Sequence, residues 1–231
     1  MGTEAKKATR RERGSGRRGG GLSLAESAYR RIKEEILRNA FPSGEFISIN
    51  DLTRVLDGMG RTPVREAVQR LHDERLLTVV PRKGIIVPEF DIKRMMDQLE
   101  LRHVLERFAF VKAVGSIDET RFRELDEVLG DMEAVEVKSS LQLARLNMAF
   151  HAKIAEAAGN AELMEILSRI YDHHIRIYTY FLADPDRTEA TQHEHRRILA
   201  ALRGGDRREI EMSVDGHFDS TRRLLLDSIL R

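Results

Sequence analysis

The residues from Arg61 to Leu71, Arg-Thr-Pro-Val-Arg-Glu-Ala-Val-Gln-Arg-Leu, are compatible with one kind of regular structure. Val64, Ala67, Val68 and Leu71 recur at i, i+3, i+4 and i+7, the spacing of a single buried stripe on a helix. Thr62 is suited to cap that helix and Pro63 to open it, because the N–H that proline lacks has no partner in a first turn. The opposite face keeps Arg65, Gln69 and Arg70. These side chains have major-groove chemistry, since Arg binds guanine and Gln binds adenine through paired hydrogen bonds. Two β-prone runs follow, Leu77 to Val80 and Ile85 to Val87. Between them Pro81-Arg82-Lys83-Gly84 predicts a hairpin turn with two cationic side chains at its tip. The combination reads as a recognition helix followed by a wing.

Upstream signals complete the unit. Ser23 and Glu26 have capping-box spacing, and Ala25, Tyr29, Ile32 and Ile36 mark the inner face of a first helix that stops near Pro42-Ser43-Gly44. Ser48 and Asp51 give the same signal for a short second helix that turns Leu52, Val55 and Leu56 inward. The recognition helix comes next, after Gly58-Met59-Gly60. Residues 22–90 are therefore expected to form a small winged helix-turn-helix. Residues 1–21, rich in Arg and Gly, have too little apolar surface to fold and are expected to be a disordered basic tail. Such a tail adds DNA affinity through counterion release if it meets phosphate.

After Phe90 the pattern is helical throughout, with breaks near Gly115-Ser116, Val135 to Ser140, Gly159-Asn160, Asp184-Pro185 and Gly204-Gly205. About six helices result, enough for an independent all-α antiparallel bundle over residues 91–231. The mainly α chain has a net charge of +1, which hides an asymmetry: residues 1–21, 22–90 and 91–231 carry +5, +1 and −5. Positive charge gathers at the end that would meet DNA, and the acidic bundle should avoid phosphate. The chain has no cysteine, which excludes disulfides and thiolate metal sites and agrees with a reducing cytoplasm. No apolar run approaches the ~20 residues of a membrane span, and the N-terminus lacks the apolar core of a signal peptide.

Four polar residues fall on apolar stripes of this bundle. His195 is followed by Ile198, Leu199 and Leu202 at i+3, i+4 and i+7, and His217 lies with Ile210, Val214, Thr221 and Leu224. Asn147 and His151 are one turn apart on a face shared with Ala144, Met148, Ala155 and Ala158. Buried polar groups are costly without partners, so convergence on one point is more economical than four separate sites. A metal ion is one such partner. Neutral imidazoles suit zinc or nickel, and three His with one oxygen leave coordination positions open. Arg102 shares a face with Leu99, Leu105 and Ala109, either as a structural pair with Glu106 or as a bidentate clamp for a carboxylate. For His72, His103, His173, His174 and His193 an ordinary structural hydrogen bond is expected.

The Arg61–Leu71 motif and the wing closely resemble the DNA-binding domain of the GntR family of bacterial transcriptional regulators. Two departures stand out: the turn before Arg61 is one residue longer than usual, with Gly60 where Ser or Thr is common, and Asn50 occupies a position where the family often has a DNA-contacting arginine. The bundle resembles the FCD effector-binding domain of the FadR subfamily through Arg102 with Glu106, Phe150-His151 before Gly159-Asn160, Glu194-His195, and His217. The resemblance implies a cytoplasmic homodimer, usually a repressor, on palindromic double-stranded DNA. Arg61, Thr62, Pro63, Arg65 and Gln69 would meet the operator, and Lys83 with Gly84 would bring the wing to the minor groove. In metal-binding FCD members an Asp and three His hold the ion; the acid position here is Asn147, which would join His151, His195 and His217 around zinc or nickel. The same resemblance implies a small organic acid effector, with Arg102 gripping its carboxylate and Arg176 and Tyr178 lining the cavity. Two alternatives follow: a metal-free regulator whose effector bonds directly to these residues, and a metallohydrolase fused to a DNA-binding module.

Overall fold

The capping signals set the first elements of the computed structural model, which describes residues 22–135, 140–182 and 185–230. The expected tail over residues 1–21 lies outside these, as do residues 136–139 and 183–184 within two of the expected breaks. Helix α1 (Leu24–Leu37) begins where Ser23 Oγ accepts from the Glu26 backbone N–H at 3.1 Å. The Glu26 carboxylate does not return the bond; it pairs with Arg30 and Arg70 instead. Helix α2 (Ile49–Val55) has the full reciprocal box between Ser48 and Asp51. Helix α3 (Arg61–Asp73) corrects the expected cap. It starts at Arg61 with Gly60 in the cap position and no side-chain cap, so Thr62 and Pro63 lie at the second and third helical positions. Proline is tolerated there because the N–H groups of a first turn lack intrahelical acceptors.

The wing consists of β2 (Thr78–Val80) and β3 (Gly84–Ile86), within a residue of the two expected runs. A strand that the pattern does not announce, β1 (Phe46–Ile47), adds to β3, giving an antiparallel sheet in the order β1-β3-β2. Two residues are too short to show alternation; pairing of Phe46 with Ile86 and Ile47 with Ile85 makes the strand. That pairing also explains Gly84. Its φ is +135° and a Cβ there would lie 3.0 Å from the Ile47 carbonyl oxygen, so a side chain would both strain the backbone and push β1 off. Ile32, Ile36, Leu52, Val64, Val68, Leu71, Leu77 and Ile85 form the domain's core. Each such side chain contributes roughly 1.5–3 kcal/mol on burial.

Among the described residues six helices follow: α4 (Ile92–Ala113), α5 (Glu119–Ala134), α6 (Ser140–Ala157), α7 (Ala161–Ile177), α8 (Pro185–Gly204) and α9 (Arg207–Ile229). Their core gathers Phe110, Leu129, Phe150, Ile154, Leu167, Ile198 and Val214. α7 ends in a π-helical turn, Tyr178–Leu182, which 3.6-residue periodicity could not reveal. The two units meet where α1 packs on α7. Lys33 pairs with Asp172 at 2.5 Å, Asn39 Nδ2 donates to the Arg176 carbonyl at 3.3 Å, and His173 Nε2 lies 3.2 Å from the Glu74 carbonyl just beyond α3. Among the described residues no helix is long and apolar enough to cross a membrane.

Candidate functional site

The outer face of α3 and the wing tip form one exposed surface. Arg61, Thr62, Arg65, Gln69 and Lys83 are exposed, while Pro63 and Gly84 are half-buried. Gln69 Nε2 donates to Asp73 at 3.0 Å. Among the described residues none forms an ion pair with Arg61, Arg65 or Lys83. Arg70 differs from its neighbours on the sequence motif: it pairs with Glu26 at 2.8 Å and Glu74 at 3.3 Å, and its guanidinium sits 3.5 Å from the Tyr29 ring centroid. Held this way it ties α3 to α1. The helical stripe assigned Arg70 to the polar face correctly but could not show what covers it.

Inside the bundle, α6, α8 and α9 bring His151, His195 and His217 together, one ring nitrogen from each lying within 4.8 Å of the others. His151 Nε2 and His195 Nε2 are 3.1 Å apart. Two carboxylates orient the rings: Glu106 lies 2.7 Å from His151 Nδ1 and Glu194 lies 2.9 Å from His217 Nδ1. Each Nδ1–H therefore donates outward, which turns the Nε2 lone pair toward the cluster, the arrangement that outer carboxylates impose on metal-binding histidines. Burial, reinforced by Arg102 and opposed by Glu106, pushes His151 down to about 3. Burial with the neighbouring His217 and His151 drives His195 well below its usual value. Both rings are thus neutral near pH 7, the ligating form. Burial would raise the Glu106 carboxyl, but Arg102 and His151 hold it well below the usual carboxylate range.

The residues present fit a divalent ion. Ligands at ~2.0–2.1 Å from zinc stand roughly 3.3 Å apart in tetrahedral geometry and about 2.9 Å in octahedral geometry, and the 3.1 Å between two of the imidazoles falls between these. Buried Asn147 Oδ1 and His195 Nδ1 have no hydrogen-bond partner. Leaving such atoms unsatisfied costs about 1–3 kcal/mol each.

A narrow cavity adjoins the cluster, lined by Arg102, Asn147, His174, Tyr178, His217 and Thr221. Arg102 Nε donates to Glu106 at 2.6 Å, the structural pair, while its Nη2 has no hydrogen-bond partner. Arg176 is elsewhere. It faces the domain junction, where Nη2 donates to Ser43 Oγ and the Pro88 carbonyl, each at 2.8 Å, because residue 176 is two positions round the helix from the His174 face. His174 was expected to be structural; it is buried, its Nε2 has no partner, and it lines the cavity. Tyr171, His174 and Tyr178 recur at i, i+3 and i+7, and that stripe was the available signal. His72, His103 and His173 do make ordinary hydrogen bonds, whereas His193 is exposed, 3.9 Å from Glu189.

A winged helix-turn-helix joined to a helical unit with a polar interior defines the two-domain DNA-binding transcriptional regulators. Residues 24–87 match the model of the bacterial regulatory proteins of the gntR family and residues 97–220 match the FCD domain. The chain belongs to the GntR family, in the FadR-like subfamily with a C-terminal FCD domain. It is 27% identical over 195 residues to the HTH-type transcriptional regulator YdhC of Bacillus subtilis, covering 83% of this chain and 86% of that protein. It is also 27% identical over 188 residues to the HTH-type transcriptional repressor GlaR of Escherichia coli, covering 77% and 84%. The solved structure of E. coli McbR/YncC superposes with a TM-score of 0.77 at 22% identity, covering 90% of this chain and 99% of that one. These relatives are transcriptional regulators rather than enzymes.

Proposed function

We propose that the chain is a homodimeric repressor whose operator affinity is set by a small carboxylate bound beside a divalent metal in the bundle. The observation that carries this reading is the buried histidine triad with its outward Nδ1 groups already engaged by Glu106 and Glu194. His151, His195 and His217, with Asn147 as oxygen donor, would hold zinc, or nickel in its place. The ion supplies a Lewis acid with positions open to an anion. The uncharged Asn147 brings no negative charge, so the ion is held less tightly than by an Asp in its place. Arg102 Nη2 and Tyr178 on the same cavity support a second grip on the acid. The GlaR name supports repression.

Arg61, Thr62, Pro63, Arg65, Gln69, Lys83 and Gly84 make the operator contact, with Arg61 and Arg65 reading bases or phosphates from a helix in the major groove. A dimer sets two such helices on two half-sites. Exposed Leu101, Val104 and Phe108, at i, i+3 and i+7 on α4, supply an apolar face for the second copy. The route from cavity to operator is short. Adjacent residues of α7 face the two domains, His174 toward the cavity and His173 toward the Glu74 carbonyl at the end of α3. A typical coupling of ~1–3 kcal/mol needs only a small shift of this helix.

The test is metal content and operator binding of purified wild type, His195→Ala and His217→Ala. About one ion per wild-type chain, lost in both variants while basal operator affinity is retained, is the expected result. Unchanged metal content in both variants would sink the site. The His151–His195 contact at 3.1 Å also favours a second reading, in which the imidazoles bond to each other and to the acid without metal. A metal-free wild type that still responds to effector would select it.

A further inference from the structure

Arg176 belongs to neither the cavity nor the operator face, yet it is 5% exposed and its Nε–H has no acceptor. Its guanidinium packs 4.2 Å from the Phe90 ring centroid and spends Nη2 on Ser43 and Pro88. It lines a small, open surface cleft together with Arg75, Arg94 and His173. Arg75 follows α3 in the DNA-binding unit, whereas Arg94 and Arg176 come from the bundle helices α4 and α7. Among the described residues no carboxylate pairs with any of the three arginines. Two acids reach the same cleft: Asp91 caps α4 by accepting from the Arg94 backbone N–H at 3.2 Å, and Glu89 is exposed. Burial, and after it the charge of Arg94, push Arg176 down to about 10.

We propose that this interdomain cleft is a second ligand site, for a small oxyanion of the phosphate class, distinct from the metal-linked cavity. The chemistry is that of cations without counter-ions: three guanidiniums at one cleft, none in an ion pair among the described residues, supply the positive charge and the N–H donors that a phosphoryl group accepts from. An anion held by Arg75 on one side and Arg94 with Arg176 on the other ties the DNA-binding unit to the bundle. Inorganic phosphate and the phosphoryl end of a larger metabolite share this chemistry.

The test is calorimetric titration of the full chain at constant ionic strength with inorganic phosphate, sulfate and glycerol phosphate. Wild type should bind phosphate saturably. Arg94→Gln, which removes a side chain with no ion-pair partner, should weaken binding at least tenfold without lowering the melting temperature, whereas Arg176→Lys should weaken binding and also lower the melting temperature, because it gives up the bonds to Ser43 and Pro88. Chelator-treated wild type should bind phosphate as untreated protein does, which separates this site from the metal. Glu89→Gln should bind more tightly by loss of a like charge. Tighter glycerol phosphate binding identifies a phosphorylated metabolite as the occupant, and equal or weaker binding identifies the free ion. Equal binding by wild type and Arg94→Gln, loss of binding after chelator treatment, or an effect that sodium chloride reproduces would each overturn the proposal.

Discussion

The winged domain and the bundle carry function in opposite ways. The reading face is one helix and one turn, its side chains exposed and, for Arg61, Arg65 and Lys83, without an ion pair among the described residues. The interior centre is assembled from α4, α6, α8 and α9, and its members are engaged with one another. A reading residue removed from the surface should therefore cost affinity and little stability. A residue removed from the centre should cost stability first, because partners in low dielectric are left uncompensated.

The largest expected effect follows from Glu106, which joins Arg102 to His151 at 2.6 and 2.7 Å in full burial. Glu106→Gln leaves a buried guanidinium without its counter-charge and should destabilise the chain by about 3–5 kcal/mol in a urea titration. A loss under 1 kcal/mol would show that the network is wetter and looser than its distances say. Next comes Arg65→Ala, expected to weaken operator binding by about 1–3 kcal/mol in a salt-controlled titration while leaving the unfolding midpoint unchanged. If instead it unfolds the domain and spares affinity, the contrast between the two regions fails.

Acid sharpens the same contrast. His151 and His173 have folded values of about 3 and 4, below the ordinary imidazole value, so the unfolded chain takes up protons first. The stability they contribute is complete above about pH 6.5 and is lost as pH falls toward their folded values. Chelator-treated protein should therefore lose unfolding free energy steadily from about pH 6.5 to pH 4, and His173→Gln should flatten part of that slope. The smallest effect concerns coupling. His173→Gln removes the bond to the Glu74 carbonyl and should reduce the effector-induced change in operator affinity severalfold, with metal content and basal affinity intact.

The legibility of each region in the sequence follows from the same difference. Val64, Ala67, Val68 and Leu71 announce α3 because helical periodicity is local, and the six bundle helices are delimited by their breaks. The expected start of α3 lies two residues late because Thr62 and Pro63 both favour helix openings, and only the observed cap on Gly60 decides. β1 exists through pairing with β3 and has no local pattern of its own. Helical spacing places Asn147, His151, His195 and His217 on inward stripes, and all four are buried. It does not show that Glu194 orients His217, nor that Arg176 and His174, two residues apart on α7, face different sites. Those facts depend on the crossing of helices, which a single helix's pattern does not contain.

The central claim is that the interior of the bundle is a metal-dependent sensor. Diffraction data collected on either side of the zinc and nickel absorption edges, from crystals grown without added metal, test it most directly. One anomalous peak per chain, bounded by His151, His195, His217 and Asn147, is the expected result. No peak at either edge, with His151 and His195 still hydrogen-bonded to each other, would contradict the claim.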